Sequence, residues 1–223
     1  MFGWNVAMPV KLQSAVFTAS ELVKMATKNS TGVMSGTLVA TQNGWRAADT
    51  LSVGDRVLTF DNGLQPIVEI KRRMLWTDDA TRKDQPWPVV IPEDVLGNER
   101  EIVFLPDQGV MLESENALDA MGDPYAIMPA QVLEGICGIE SAPAPHAMEL
   151  LTLVFAGEEV IYIDGSLLLH CPVKLRISDV IKSASGLYDV KSLRQAQAML
   201  TDLDLAELAL REPESDLLAH SKC

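Results

Sequence analysis

The chain is poor in the residues from which most metal and redox centres are built, with three cysteines and three histidines in 223 residues. Cys137, Cys171 and Cys223 are too scattered for a disulfide framework, and no C-x-x-C spacing suggests zinc. A site assembled from His146, His170, Cys137 and Cys171 needs a spatial convergence that no spacing motif supports, so neither a metal nor a cofactor is expected. Basic residues are scarce as well, 18 against 31 acidic, and the formal charge of −13 speaks against a nucleic-acid backbone or an anionic membrane as partner. No apolar run approaches the roughly 18 residues of a membrane span, and the apolar opening Met1–Met8 lacks the basic flank of a signal peptide. These absences point to a soluble protein of a reducing, cytoplasmic compartment.

What the chain does have is apolar substance. Hydrophobic residues make up 48% and mean hydropathy is +0.12, enough for a sizeable core in one domain with decorations. Charge is unevenly placed: residues 1–48 hold Lys11, Lys24, Lys28 and Arg46 against Glu21 alone, so the acid belongs to the body and tail. The first 31 residues read as an N-terminal extension with an amphipathic helix, Phe17, Leu22, Val23 and Met25 forming its apolar face.

From Gly36 the pattern becomes β. Thr37–Thr41 predicts a strand, Gln42-Asn43-Gly44 a tight hairpin turn and Trp45–Ala47 the return. Ser52–Asp55 predicts a turn, Arg56–Phe60 a strand, Asp61-Asn62-Gly63 a second hairpin turn and residues 64–76 a single longer strand. Residues 77–100, with Pro86, Pro88, Pro92 and Gly97, predict a long surface loop with little regular structure. Strands are expected again at Glu101–Leu105, Val110–Glu113, Ala126–Met128, Glu149–Phe155, Glu158–Ile163 and Leu167–His170. Asn116–Asp123 reads as a polar turn, and Pro129–Leu133 as a helical turn started by proline.

Beyond about residue 175 the period turns helical. Ser192 with Gln195 makes a capping box ahead of Leu193, Ala196, Leu200 and Leu203, Asp204 with Glu207 restarts a second helix, and Pro213 ends it. The expected organisation is therefore an extension over 1–31, a β domain over 32–175 and a helical segment over 176–223. The leucine face is expected to dock on the β domain, with a homodimer interface as the second choice.

Ser35-Gly36-Thr37-Leu38-Val39-Ala40-Thr41-Gln42-Asn43-Gly44-Trp45-Arg46, followed by Leu51-Ser52-Val53-Gly54-Asp55-Arg56-Val57-Leu58 and the Asp61-Asn62-Gly63 turn, resembles the opening of a Hint (hedgehog/intein) domain, closest to a bacterial Hint-like group. The resemblance spans roughly residues 32–172, and Ile163-Asp164-Gly165 is similar to the family's Ala-Asn-Gly turn. It implies a mainly β, compact, pseudo-symmetric fold in which strands from both ends of the domain meet around a splice or cleavage centre. It also implies self-directed acyl transfer: a Cys or Ser at the domain's first residue attacks the preceding carbonyl, while a His protonates the scissile amide.

Carried over residue by residue, that chemistry is missing here. The nucleophile position falls on Gly32, the hydroxyl of the Ser-Pro-x-His motif on Leu105 and its histidine on Gln108. Gln supplies an amide hydrogen bond but no acid at neutral pH. The closing His-Asn is replaced by His170-Cys171, one residue out of register. The expectation is a domain without catalytic residues, acting as a structural, binding or regulatory module with an unidentified protein partner. The alternative is self-processing through a relocated Ser35, Thr31 or Cys171, with His170 assisting. Asp55 and Asp61 are expected to bond their own turns rather than to form an acid–base pair, and Trp45 to cap the core beside its hairpin, although Trp45, Trp76 and Trp87 also suit a binding surface.

Overall fold

A computed structural model describes residues 31–77, 85–113, 124–173, 188 and 190–202. The helix expected in the N-terminal extension, the Asn116–Asp123 turn and the second C-terminal helix lie outside these residues.

The described chain is mainly β. It opens with a two-residue strand β1 (Val33–Met34), then the hairpin of β2 (Leu38–Thr41) and β3 (Gly44–Ala47) and a 3-10 turn at Ala48–Thr50. A second hairpin joins β4 (Arg56–Thr59) to β5 (Gly63–Pro66). Each hairpin turns on an Asn-Gly pair, with Gly44 and Gly63 in the left-handed region that the tight turn requires (φ 84° and 62°). Each is also stapled by a threonine: the Thr41 hydroxyl donates to Gly44 O at 2.7 Å, and the Thr59 hydroxyl to Gly63 O at 2.9 Å.

The expected single strand over 64–76 is two strands in different sheets, β5 and β6 (Glu69–Leu75). Pro66 has no N–H for a continued ladder. The next two amides turn aside, Ile67 N–H to Asp55 O and Val68 N–H to Val154 O, so the chain crosses to a new partner. The expected loop over 77–100 is also corrected in part: it contains β7 (Val89–Ile91), whose Val89 and Ile91 are core residues. Proline punctuates this stretch without preventing three paired residues.

The remaining strands are β8 (Ile102–Phe104), β9 (Gly109–Glu113), β10 (Tyr125–Pro129), β11 (Glu140–Ser141), β12 (Met148–Val154), β13 (Glu159–Ile163) and β14 (Leu167–Cys171), with a 3-10 turn at Ala130–Leu133 after β10. They form three antiparallel sheets, ordered β1-β12-β6, β10-β9-β14-β13-β2-β4-β5 with β3 on β2, and β11-β7-β8. The main core is built from Val39, Val57, Phe104, Val110, Leu151, Ile161, Ile163 and Leu169 among others, with two smaller apolar clusters around Trp76 and around Ile127. Strands from both ends of the domain interleave: β2 and β4 pair with β13, and β1 pairs with β12.

Helix α1 (Leu193–Asp202) starts on its capping box, with Ser192 N–H donating to Gln195 Oε1 at 3.0 Å and Gln195 N–H to Ser192 Oγ at 3.4 Å. Ala196 enters the core cluster and Met199 packs against it, whereas Leu193 faces outward. Trp45 does not cap the core. It is 44% exposed, as Trp87 is also exposed, while Trp76 is buried.

Candidate functional site

Gly32, Gln108 and His170 meet at one point. Leu105-Pro106-Asp107-Gln108 is a β-turn between β8 and β9, closed by Gln108 N–H to Leu105 O at 2.9 Å, with proline at its favoured second position. The turn drives Gln108 inward, where it is 0% exposed. Its side-chain oxygen accepts the Gly32 N–H at 2.7 Å. Its side-chain nitrogen donates to Gly109 O at 2.9 Å and to His170 O at 3.0 Å. One carboxamide thus ties Gly32, just ahead of β1, to β14. Its orientation follows from its neighbours, because two carbonyls demand the NH2 end and one amide demands the oxygen.

The other side of the same peptide is held too. Thr31 O accepts the Thr152 hydroxyl at 2.7 Å, so the Thr31–Gly32 bond is gripped at its N–H by Gln108 and at its carbonyl by Thr152. Sequence reasoning missed Thr152. Its signal was a single hydroxyl within the apolar run Leu150-Leu151-Thr152-Leu153-Val154 of β12.

Position 32 has no room for a nucleophile. A Cβ there would lie 2.5 Å from Leu151 O, 2.9 Å from Leu151 C and 3.2 Å from Leu150 Cδ1, and two of those three walls are backbone. The β1–β12 register, Val33 opposite Leu151 and Met34 opposite Leu150, brings that carbonyl so close. Leu105, where the resemblance implies a hydroxyl, is packed in a cluster with Met34, Leu75, Trp76 and Leu150.

The weaker candidates are dispersed. Ser35 lies beyond the far end of β1, exposed, with its N–H on Glu149 O at 2.8 Å; it borders Asp49, whose carboxyl is held below its ordinary value first by the Gly36 N–H and also by the Ser35 side chain. His170 and Cys171 are both buried and face opposite sides of β14. Cys171 belongs to the main core, and burial, with the Glu159 charge second, pushes its thiol up to about 12. His170 Nε2 lies 2.7 Å from Glu158 Oε1, a partner the sequence did not single out. Burial pulls the imidazole below its ordinary value, opposed by the hydrogen bond and charge of Glu158.

Asp55 bonds its own turn as expected, accepting Ser52 N–H at 2.9 Å, and also pairs with Arg46 at 2.9 Å. Asp61 instead accepts the Tyr188 hydroxyl at 2.5 Å. Asp164, in the turn between β13 and β14, accepts Leu38 N–H at 3.1 Å and pairs with Arg100 at 2.6 Å, tying that turn to β2. Among the described residues no group of three or more His, Cys, Asp and Glu is placed to hold a metal ion, and no helix is long and apolar enough to cross a membrane.

No curated protein matches the chain. Among solved structures, the crystal structure of the gp41-1 intein is 17% identical with a TM-score of 0.38, and the match covers 63% of this chain and 99% of that one. The solution structure of a bacterial intein-like domain from Clostridium thermocellum is 12% identical with a TM-score of 0.42, covering 64% and 99%. The crystal structure of the MchDnaB-1 intein gives 17% and 0.39, covering 62% and 98%. A family model for the Hint domain matches residues 31–168, more than half of the sequence and the stretch that contains Gly32, Gln108 and Thr152; the chain belongs to the Hint-domain family.

Proposed function

We propose that this chain is a non-processing Hint domain, which holds the Thr31–Gly32 peptide intact and serves as a structural, binding or regulatory module. The observation that carries this reading is the state of the junction itself. Backbone closes on the only place where the family's nucleophile is attached, and the group facing the Gly32 N–H is an acceptor. Acyl transfer needs an attacking side chain and a proton for the departing nitrogen. Gln108 presents its oxygen to that N–H and its NH2 to two carbonyls, so it supplies no such proton. The free thiols of Cys137 and Cys171 support a reducing compartment such as the cytoplasm.

A second reading, self-cleavage by a relocated hydroxyl, draws on Thr152. Its Oγ1 would bond to the Thr31 carbonyl carbon as the C–N bond to Gly32 breaks and the hydroxyl proton passes to the Gly32 nitrogen, leaving the segment that ends at Thr31 as an ester on Thr152 that water or hydroxylamine would cleave. The hydroxyl is turned onto the carbonyl oxygen, the geometry of a hydrogen-bond donor.

Intact mass of the full chain, before and after hydroxylamine or a thiol, separates the two. The non-processing reading expects one species of full mass in the native protein and in the Gly32→Cys/Gln108→His double variant. Release of a fragment of about thirty residues from the native chain, abolished by Thr152→Ala, would establish the second reading instead.

A further inference from the structure

Tyr188 and residues 190–202 lie beyond the stretch matched by the Hint family, and Tyr188, Val190 and Lys191 meet the edge of the β domain. Val190 forms a parallel bridge to Ile127, and Lys191 N–H donates to Ile127 O at 2.9 Å. Ile127 lies on β10, which among the described residues is the edge of the eight-stranded sheet. Two residues earlier, Tyr188 enters an apolar seat beside Phe60, Tyr125, Ile127 and Leu168, its ring edge-on to His170 at 6.1 Å and its hydroxyl on Asp61 at 2.5 Å. Backbone pairing to a sheet edge with an alternate side chain in a socket is how an extended peptide ligand binds by strand addition.

The attachment is thin beside the domain's own ladders. Val190 and Leu193 face outward, Tyr188 is half-buried, and within α1 through Met199 only Ala196 is fully buried. A contact of that size opens at a lower free energy than the core strands. We infer that Tyr188 and residues 190–202 form a displaceable strap, occupying in cis a strand-addition site on β10 that recognises an extended peptide with a tyrosine two residues before its edge-pairing position. Specificity for tyrosine comes from the solvent-exposed carboxylate of Asp61 at the rim of the apolar seat, which accepts a phenol hydrogen that phenylalanine lacks. The strap also touches the degenerate centre from outside: Tyr188 packs on His170, whose carbonyl receives Gln108, and α1 packs on the 3-10 turn whose Ala130 N–H bonds Gln108 O.

The test uses the full chain and a labelled synthetic peptide with the sequence of residues 188–202. A Tyr188→Ala chain, its own strap released, is expected to bind the peptide at least tenfold more tightly than the native chain, and a peptide with phenylalanine at the tyrosine is expected to bind about tenfold more weakly. A Tyr188→Ala chain that keeps its melting transition yet binds no peptide overturns the inference. Hydrogen exchange on the native chain tests it independently, whatever the variant's stability. The Lys191 amide should exchange at least a hundredfold faster than amides of the β13–β14 ladder. Equal rates would mean that the strap opens only with the whole domain, which also overturns it.

Discussion

Adding one methyl group at position 32 is the most direct trial of the closed junction. In a Gly32→Ala variant the new carbon meets Leu151 O at 2.5 Å and Leu151 C at 2.9 Å. A flexible side chain can swing away from such a contact, but a strand backbone paired on both edges cannot, and β12 is paired with β1 on one side and β6 on the other. The overlap must be relieved by moving β1 outward, at the ~1–3 kcal/mol typical of overpacking. Movement lengthens the Gly32–Gln108 bond and leaves a buried carboxamide oxygen short of its donor, a further ~1–3 kcal/mol. Together these amount to about 2–6 kcal/mol, or a melting temperature lower by roughly 6–18 °C for a domain of this size. Two comparators give the result meaning. Gly157→Ala should be near neutral, its Cβ meeting only Glu159 Oε1 at 3.9 Å. Gly109→Ala meets Ile127 Cγ2 at 2.8 Å and His170 side-chain atoms at 3.0 and 3.1 Å, walls that can repack, so its loss should lie between the two. Chemical denaturation of the three variants is the assay. If Gly32→Ala falls within about 0.5 kcal/mol of the native chain, the range of an unremarkable surface change, the steric reasoning is refuted.

Gln108→Leu keeps the volume but leaves Gly32 N–H, Gly109 O and His170 O buried without their partner; at ~1 kcal/mol or more for each, a loss of about 3–5 kcal/mol is expected in the same denaturation assay. His170 titrates below its ordinary 6.5 in the fold, so the unfolded chain takes up the proton first. Its contribution is fully present above pH 6.5 and is lost as pH falls through the folded value, and His170→Gln should flatten the stability–pH curve in that window. Native alkylation at about pH 8 followed by peptide mapping should label the exposed Cys137 and spare Cys171, which is buried and whose thiol is pushed up to about 12.

The hairpins were legible because their signals are local. Asn43-Gly44 and Asn62-Gly63 need no knowledge of the rest of the chain, and Ser192 with Gln195 caps its helix within four residues. The positions of Gly32 and Gln108 followed from motif spacing, and the structure joins them by one hydrogen bond across 76 positions of sequence. Long-range choices were less visible. Ile67, Val68 and Ile70 suit a strand equally in either sheet, and only Pro66 hinted that the ladder stops there and that β6 belongs to β12. Thr152 and Glu158 were missed because each acquires its role from a partner, Thr31 or His170, brought there by the fold; the lone hydroxyl in the apolar run of β12 marks Thr152 but not what it bonds.

Gln108 has a mechanical consequence. The chain enters the domain at Gly32 and leaves past His170, and one side chain spans the two points. Tension applied at residue 31 therefore falls on the Gln108 and Thr152 side chains before it reaches the β1–β12 ladder, whereas at residue 172 it meets the Cys171–Glu159 pair of the β13–β14 ladder directly. Beyond those two side chains, β1 can be peeled from β12 one residue pair at a time, without a shear across many bonds at once. A domain pulled from its N-terminal flank would behave as a fuse that opens at its junction ahead of the eight-stranded sheet.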